Sequence, residues 1–400
     1  MNNQVQMIEE AEEKLVHTYN RFQIVLEEGR GVYLFDVNGK KYLDFAAGIA
    51  VCALGYDNRE YQDALIKQIE KLVHTSNLYY NQPSIKAASR LVKASGMDRV
   101  FFTSSGTEAI EGALKAAKKY AFSRDHHAGH EIIAMQHSFH GRSLGALSVT
   151  GNEQYQTPFR PLLPGVLFAS FNDIESVRSL VSERTCAIIM EPIQGEGGIF
   201  PADAEFLGQV RALCDEKDIL LIFDEIQCGM GRTGEMFAWQ YYNVRPDILI
   251  SAKALGCGVP IGAFMITERV AKYSLGPGDH GTTYGGNPLC CAAANKVLEI
   301  MERDHMTSHT REIGDYLWNE LEKVMEQHTF IIDHRGVGLI QGLEFDTSVK
   351  AADVTSKALD CGLILISAGS NVLRFVPPLI IKKEHVDEMI QKLKRVLAAF

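Results

Sequence analysis

No pair of cysteines in this chain has the Cys-x-x-Cys spacing of a zinc ribbon or a redox dithiol. Its eight cysteines are scattered at 52, 186, 214, 228, 257, 290, 291 and 361. Scattered free thiols in a chain of 400 residues fit a reducing compartment. There is no run of about 18 apolar residues, the length a helix needs to cross a bilayer. The amino-terminal stretch MNNQVQMIEEAEEKL has no apolar signal core, so the expected location is the cytoplasm. Basic residues are in deficit, 40 against 50 acidic, for a net charge of -10. That balance argues against nucleic acid and anionic membranes as partners and leaves small anionic substrates open. A P-loop is missing too: the one Gly-Lys pair, Gly39-Lys40, lacks the upstream glycine and is followed by Lys41. GCGVPIG (256–262) departs from the glycine spacing of a dinucleotide fingerprint. Internal repeats and low-complexity linkers are absent.

What is present is ordinary globular composition, 46% hydrophobic and 22% charged, long enough for two or more domains. GVYLFDVNGKKYLDF (31–45) predicts a hairpin turning at Asn38-Gly39. Residues 60–74 predict a helix, with Leu65, Ile69, Leu72 and Val73 on one face. From about 99 to 270 short apolar runs alternate with helical stretches: RVFFT, EIIAM, CAIIME, ILLIFDE, PDILISA, GAFMIT. Continuous apolar runs are the mark of strands buried on both faces, so this is an α/β core with a parallel sheet. The last ninety residues mix strands (GLIQGLEF, VLRFVPPL) with helices, the final one near 384–398, and read as a smaller α+β domain. In such sheets ligands sit at the carboxyl ends of the strands, which directs attention to the polar residues just after each run.

In FFTSSGTEAIEGALKAAKKY (101–120) a strand meets a small-residue turn and a helix. Ser105 and Glu108 have capping-box spacing. Free N–H groups at a helix start bind phosphate; Gly106 permits close approach and Thr107 adds a hydroxyl. A plain N-cap would look the same. In LLIFDEIQCGMGRTG (220–234) a strand ends in Asp224 and Glu225. With no P-loop to serve, Asp224 is either a satisfied structural carboxylate or the partner of a cationic heterocycle nitrogen. In PDILISAKALGCGVPIGAF (246–264) Lys253 follows a strand. A lysine desolvated there has a lowered pKa and forms Schiff bases; one that reaches solvent along its stem is the alternative. In HSFHGRSLGALSVTG (137–151) Phe139 can stack on a flat ring and Arg142 can clamp a carboxylate. Both also occur in ordinary loops, and His140 beside them is an acid–base candidate. EPIQGEGGIFPA (191–202), HGTTYGGNPL (280–289) and VLRFVPPL (372–379) are further apolar-flanked loops. Arg374, inside the last, needs a carboxylate from the protein or a substrate.

Taken in order, YLDFAAGIAV, SFHGRSLGALSVTG, EPIQGEGG, DEIQCGMGRTG, AKALGCGVPIGA and HGTTYGGNPL resemble the class III aminotransferases over about residues 20–395. These are pyridoxal 5'-phosphate (PLP) enzymes of fold type I, and within the class the acetylornithine branch is most similar. The resemblance implies a large domain with a mostly parallel seven-stranded sheet over 61–305. It also implies an amino-terminal segment (1–60) packing with a small α+β domain (306–400). It further implies that Lys253 carries PLP, Asp224 pairs with the ring nitrogen, Gln227 meets the phenolic oxygen, and Phe139 covers the ring. Gly106 and Thr107 would hold the phosphate, with Thr283 of a neighbouring subunit, in a homodimer whose sites lie at the interface. Thr282 and Arg142 fall at substrate-contacting positions. Arg374 matches the receiver of the α-carboxylate of glutamate or 2-oxoglutarate, and Glu196 matches its partner when another donor is bound. Glu225 has no implied role beyond structure. The implied reaction moves the ω-amino group of N2-acetyl-L-ornithine to 2-oxoglutarate, with no metal. Ornithine, succinylornithine, 4-aminobutyrate and lysine are other donors in the class, and a PLP-dependent racemase is the alternative of different chemistry. The chain departs from the class pattern at Ile110 (often Asn), Tyr56 (often His) and Cys52 (often Asn). It also lacks the tyrosine near Gly48 and the tryptophan at position 140 of ornithine aminotransferases, which favours an acylated ornithine.

Overall fold

The computed structural model describes residues 3–400. A first helix, Asn3–Lys14, is followed by an antiparallel meander, β1 (Leu26–Arg30), β2 (Tyr33–Asp36) and β3 (Lys41–Asp44). The turn between β2 and β3 is the expected one. Gly39 adopts φ +79°, and Asp36 accepts hydrogen bonds from the N–H groups of Asn38 and Lys40, both at 2.9 Å. The helix expected over 60–74 is shorter, Arg59–Ile69. Leu72 and Val73 lie beyond it and are exposed, as are Ile66 and Ile69. The near end of the stripe packs on the helix Pro288–Arg303, but its far end meets nothing within one chain, so periodicity overstated the length.

The large sheet follows. Its strands are β4 (Arg99–Thr103), β5 (Glu131–Met135), β6 (Val166–Ala169) and β7 (Thr185–Met190), then β10 (Leu220–Asp224), β11 (Ile248–Ser251) and β12 (Gly262–Ile266). Between β7 and β10 a short ladder of β8 (Ile193–Gln194) and β9 (Phe200–Pro201) pins the loop after β7. The seven strands lie in the order β4-β12-β11-β10-β7-β5-β6. The pairings from β11 through β6 are parallel, and β12 runs antiparallel to both of its neighbours. Helices cover both faces. Along β10, Leu221 and Phe223 join one apolar cluster while Leu220 and Ile222 join the other. This is why the run is apolar at every position: each such side chain contributes roughly 1.5–3 kcal/mol on leaving water, and neither face is wet.

The carboxy-terminal part holds β13 (Ile331–Val337), β14 (Ile340–Phe345), β15 (Leu363–Ile364), β16 (Ile366–Ala368) and β17 (Val372–Phe375). Four of them form an antiparallel sheet in the order β13-β14-β17-β16. β15 instead pairs in parallel with β3, so one small sheet joins the two ends of the chain. The last helix, Lys383–Leu397, buries Val386, Met389, Ile390, Leu393 and Leu397, the stripe its spacing predicts. The architecture is the expected one, a mostly parallel α/β layer structure with a smaller α+β part. No helix among the described residues is long and apolar enough to cross a membrane.

Candidate active site

The residues following β5, β7, β10 and β11 converge on one cavity of about 450 Å³. It lies where the strand rule places ligands, at the carboxyl ends of the parallel strands. Phe139 and His140 come from the loop after β5, Glu191 and Glu196 from the loop after β7, Asp224 from the end of β10, and Lys253 from just after β11. The start of the helix Gly106–Asp125 closes one side with Gly106 and Thr107.

Asp224 is 3% exposed. Its Oδ1 accepts the N–H of Ile226 at 3.0 Å, and its Oδ2 lies 2.7 Å from Nδ1 of His140, itself buried. The other ring nitrogen of His140 has no hydrogen-bond partner among the described residues. Glu225 points elsewhere. It is fully buried and accepts the N–H groups of Ala238 and of Trp239 (2.8 Å), capping the short helix Ala238–Tyr242. Burial pushes its carboxyl up to about 8, against the pull of those two donors. The adjacent acids thus have separate jobs, and the structural expectation for Glu225 holds.

Lys253 lines the cavity with φ at +45°, a left-handed conformation that costs a non-glycine residue roughly 1–2 kcal/mol. Burial lowers its amine to about 8, Glu196 opposing and Arg374 reinforcing the shift. A partly neutral amine at a buried strand end is the state a Schiff-base lysine requires.

At the helix start, Ser105 Oγ accepts the N–H of Glu108 at 3.3 Å. The expected capping box is displaced by one residue: the Glu108 carboxylate takes the N–H of Ser104 (2.8 Å) rather than that of Ser105. A Cβ on Gly106 would come within 2.7 Å of Ile226 Cδ1 and 3.4 Å of Ala252 Cβ, so a larger residue here would require the Ile226 side chain to move. Thr107 Oγ1 lies 2.9 Å from Ser143 Oγ. Arg142 is exposed at the rim, its guanidinium 3.8 Å from the Tyr155 ring centre and 5.4 Å from that of Phe139.

Arg374, on β17, is 2% exposed and stands behind the cavity wall. Its Nη1 donates to Glu196 Oε1 at 2.6 Å and to Gln227 Oε1 at 2.9 Å, and its Nη2 to Glu196 Oε2 at 3.3 Å. Gln227 also donates to Glu196 Oε1 at 3.1 Å, which leaves one amide hydrogen free. Burial raises the Glu196 carboxyl, but Arg374 outweighs it and holds the group below its ordinary value. Thr282 and Thr283 do not line this cavity. They sit on the loop before the helix Pro288–Arg303, where Thr282 Oγ1 accepts the N–H of Gly285 at 3.1 Å.

Sequence reasoning passed over Glu191, although it directly follows the apolar run CAIIM, the signal that drew attention to Asp224. Glu111 was passed over too. Its Oε1 accepts Ser143 Oγ (2.5 Å) and the N–H groups of Gly145 (3.1 Å) and Ala146 (3.2 Å). It thereby fixes the segment that carries Arg142. A mid-helix glutamate gives no sign of that in sequence.

Residues 15–397 match the model of the family Aminotransferase class-III. This chain is a class III aminotransferase. Among its relatives, the acetylornithine aminotransferase of Methanocaldococcus jannaschii is 49% identical over 378 residues, covering 94% of each chain. The solved N-acetylornithine aminotransferase of Stenotrophomonas maltophilia is 37% identical, with a TM-score of 0.84 over 96% of this chain and 97% of that one. The ornithine aminotransferase of Toxoplasma gondii, solved with PLP at partial occupancy in its active site, is 30% identical. Its TM-score is 0.95 over 99% of this chain and 94% of that one. Backbone shape therefore does not separate the donors; side chains must. The class is PLP-dependent, and the cavity of this aminotransferase fits that cofactor. It offers N–H groups at a glycine-cleared helix start for a phosphate, a buried carboxylate for a ring nitrogen, an aromatic wall at Phe139 and a desolvated amine.

Proposed function

We propose that this enzyme transfers the ω-amino group of N2-acetyl-L-ornithine to 2-oxoglutarate, giving N-acetyl-L-glutamate 5-semialdehyde and L-glutamate. The observation that carries the two-substrate reading is the Glu196–Arg374 pair, closed at 2.6 Å beside the Lys253 cavity. One site must take an ω-amine whose reacting carbon bears no carboxylate and a dicarboxylate whose α-carboxylate needs a cation. With the pair closed, Arg374 is neutralised and the ω-amine enters. With Glu196 swung aside, Arg374 receives the α-carboxylate bidentately. Relatives named acetylornithine aminotransferase support the acylated donor.

Lys253 would hold the cofactor, Asp224 its ring nitrogen, Phe139 its face, Gln227 its phenolic oxygen, and Gly106 with Thr107 its phosphate. PLP, when bound, supplies the electron sink that lets the proton α to the substrate nitrogen leave. Lys253, with its amine lowered to about 8, is the base that takes that proton at near-neutral pH. Arg142, at the rim of the cavity, would contact the substrate; Thr282, which does not line the cavity of its own chain, would reach a substrate only from a neighbouring copy.

The working unit in this reading is a homodimer in the cytoplasm. Leu72, Val73, Leu78, Tyr79, Tyr80 and Tyr284 form an exposed apolar and aromatic strip, of the kind that marks an association surface. Asn77, in the same strip, donates to the carbonyls of Thr282 (3.3 Å) and Gly285 (2.8 Å). The strip and the threonine loop are therefore one unit, and a second copy seated here would bring Thr283 to its partner's phosphate. Eight unpaired cysteines support a reducing compartment.

The deciding experiment adds single amino donors, without keto acid, to the PLP-loaded enzyme and follows the visible cofactor band. Fast conversion with N-acetylornithine, and slow conversion with ornithine or 4-aminobutyrate, is expected. Conversion by glutamate but by none of the ω-amines would overturn the donor while leaving the class intact.

A further inference from the structure

Glu191 is a buried carboxylate, 5% exposed, to which the reaction above assigns nothing. Its two oxygens serve two different loops. Oε1 accepts the N–H of Phe139 at 2.9 Å, in the loop after β5. Oε2 accepts the N–H of Gly195 at 3.0 Å, in the loop after β7. Each contact sits next to a working part. Phe139 precedes His140, whose Nδ1 lies 2.7 Å from Asp224. Gly195 precedes Glu196, and the Gly195 carbonyl also receives Arg374 Nη1 at 3.4 Å. The two loops meet once more at their base, where Gln194 donates to the Gln136 carbonyl at 2.8 Å. That contact touches neither working part.

We propose that Glu191 is a positioning residue that locks the Phe139–His140 wall to the Glu196–Arg374 gate, so that recognition of the α-carboxylate depends on its carboxylate. The proposal rests on the reading of Glu196 and Arg374 given above. Burial pushes the Glu191 carboxyl up to about 7, His140 opposing and Asp224 reinforcing the rise. Above that pH the group is an ionised acceptor, the stronger kind for backbone N–H groups, and it takes one from each loop. Glu191→Gln keeps the volume but presents an NH2 group to one of the two N–H donors, so one loop is released. Freed at Gly195, Glu196 loses its fixed approach to Arg374. Freed at Phe139, the side chain loses its own anchor, and Gly195 is then held only to a loose group.

The test compares half-reactions of wild type, Glu191→Gln, Glu196→Ala and the double variant, each loaded with PLP. For Glu191→Gln the apparent affinity for glutamate and 2-oxoglutarate is expected to weaken about tenfold, as for loss of a charged hydrogen bond. Conversion by the ω-amine donor should change less than threefold. In the Glu196→Ala background the same substitution should have little further effect on the keto acid, because the gate through which it acts is gone. Gln194→Ala, which cuts only the base contact, should leave the keto-acid KM unaltered. Equal losses with both substrates, or an undiminished effect in the Glu196→Ala background, would overturn the proposal. If Glu191→Gln does not fold, Glu191→Asp, which keeps the charge but shortens the reach, is read by the same ratio. Failure of the parent reading is separate: Arg374→Ala would then harm the half-reactions of both substrates equally.

Discussion

Glu196 stands in front of Arg374. Its side chain is 30% exposed and lines the cavity, while that of Arg374, whose Nη1 lies 2.6 Å from it, is 3% exposed. A dicarboxylate entering the cavity as proposed would meet a negative charge first, and the arginine would become available only when that charge moved.

Arg374→Ala should damage the dicarboxylate half of the reaction selectively. Loss of a desolvated charge pair with a substrate carboxylate is worth on the order of 3 kcal/mol, so kcat/KM for 2-oxoglutarate is expected to fall about a hundredfold. The rate of conversion by the ω-amine should fall far less. Stopped-flow half-reactions measure both, and equal damage would refute the assignment.

Lys253→Ala should abolish turnover and the lysine-linked visible band. The wild-type amine offers a second handle. Burial favours its neutral form and brings it down to about 8, and only the neutral amine is nucleophilic. Capture of PLP by the apoenzyme should accelerate as pH rises through about 8 and then level off. A rate still climbing steeply toward pH 10 would mean the amine is not desolvated in the way its position implies.

Glu225 gives a stability prediction whose sign follows from linkage. Its folded value, about 8, lies above the ordinary carboxylate value of 4.5, so the folded state holds the proton more tightly than the unfolded state. Between those limits this group lowers stability as pH rises. Glu225→Gln does not titrate there. The melting temperature of wild type relative to the variant should therefore drop between pH 5 and pH 8; parallel curves would contradict the buried-acid account.

Asp44 anchors the most strained segment of the chain. Ala47, Gly48, Ile49 and Ala50 have φ values of 49°, 62°, 66° and 61°, a left-handed turn that costs its non-glycine members roughly 1–2 kcal/mol each. Asp44 holds it through the N–H groups of Ala46 (2.8 Å) and Ala47 (3.0 Å), and is itself held by the Tyr56 hydroxyl. Val51, next after the turn, lines the cavity. Tyr56→Phe should lower stability by about 1 kcal/mol and raise the KM of the amino donor. Denaturant melts and steady-state kinetics check the two halves.

Much of this was legible in the sequence because burial on two faces leaves an unmistakable trace. The six apolar runs from RVFFT to GAFMIT became β4, β5, β7, β10, β11 and β12. Direction left no trace: GAFMIT has the same composition whether its strand runs parallel or, as β12 does, antiparallel. β6, at the sheet edge, is only partly buried along most of its length and went unread. Of the site, position after a strand singled out Lys253, Asp224 and Phe139 as candidates, but each had a plain structural alternative, and only the resemblance gave them roles. The Arg374–Glu196 contact joins residues 178 positions apart and could be expected only from resemblance. Glu191 obeyed the same rule as Asp224, but a carboxylate that serves two backbone N–H groups carries no motif of its own.

The antiparallel placement of β12 has a mechanical consequence. β11 leaves the sheet, Lys253 follows, and the chain returns as β12 beside it, with Ser251 paired to Ala263. The lysine loop is thus anchored at both ends in neighbouring rows of a single lattice. Arg374 belongs to a different sheet, the four-stranded one at the carboxy terminus. Rigid displacement of that sheet would re-aim the arginine and leave the amine where it was. In the proposed reaction, proton transfer at Lys253 and carboxylate recognition at Arg374 would then be adjustable independently, and selection could retune which acid is accepted without disturbing the amine.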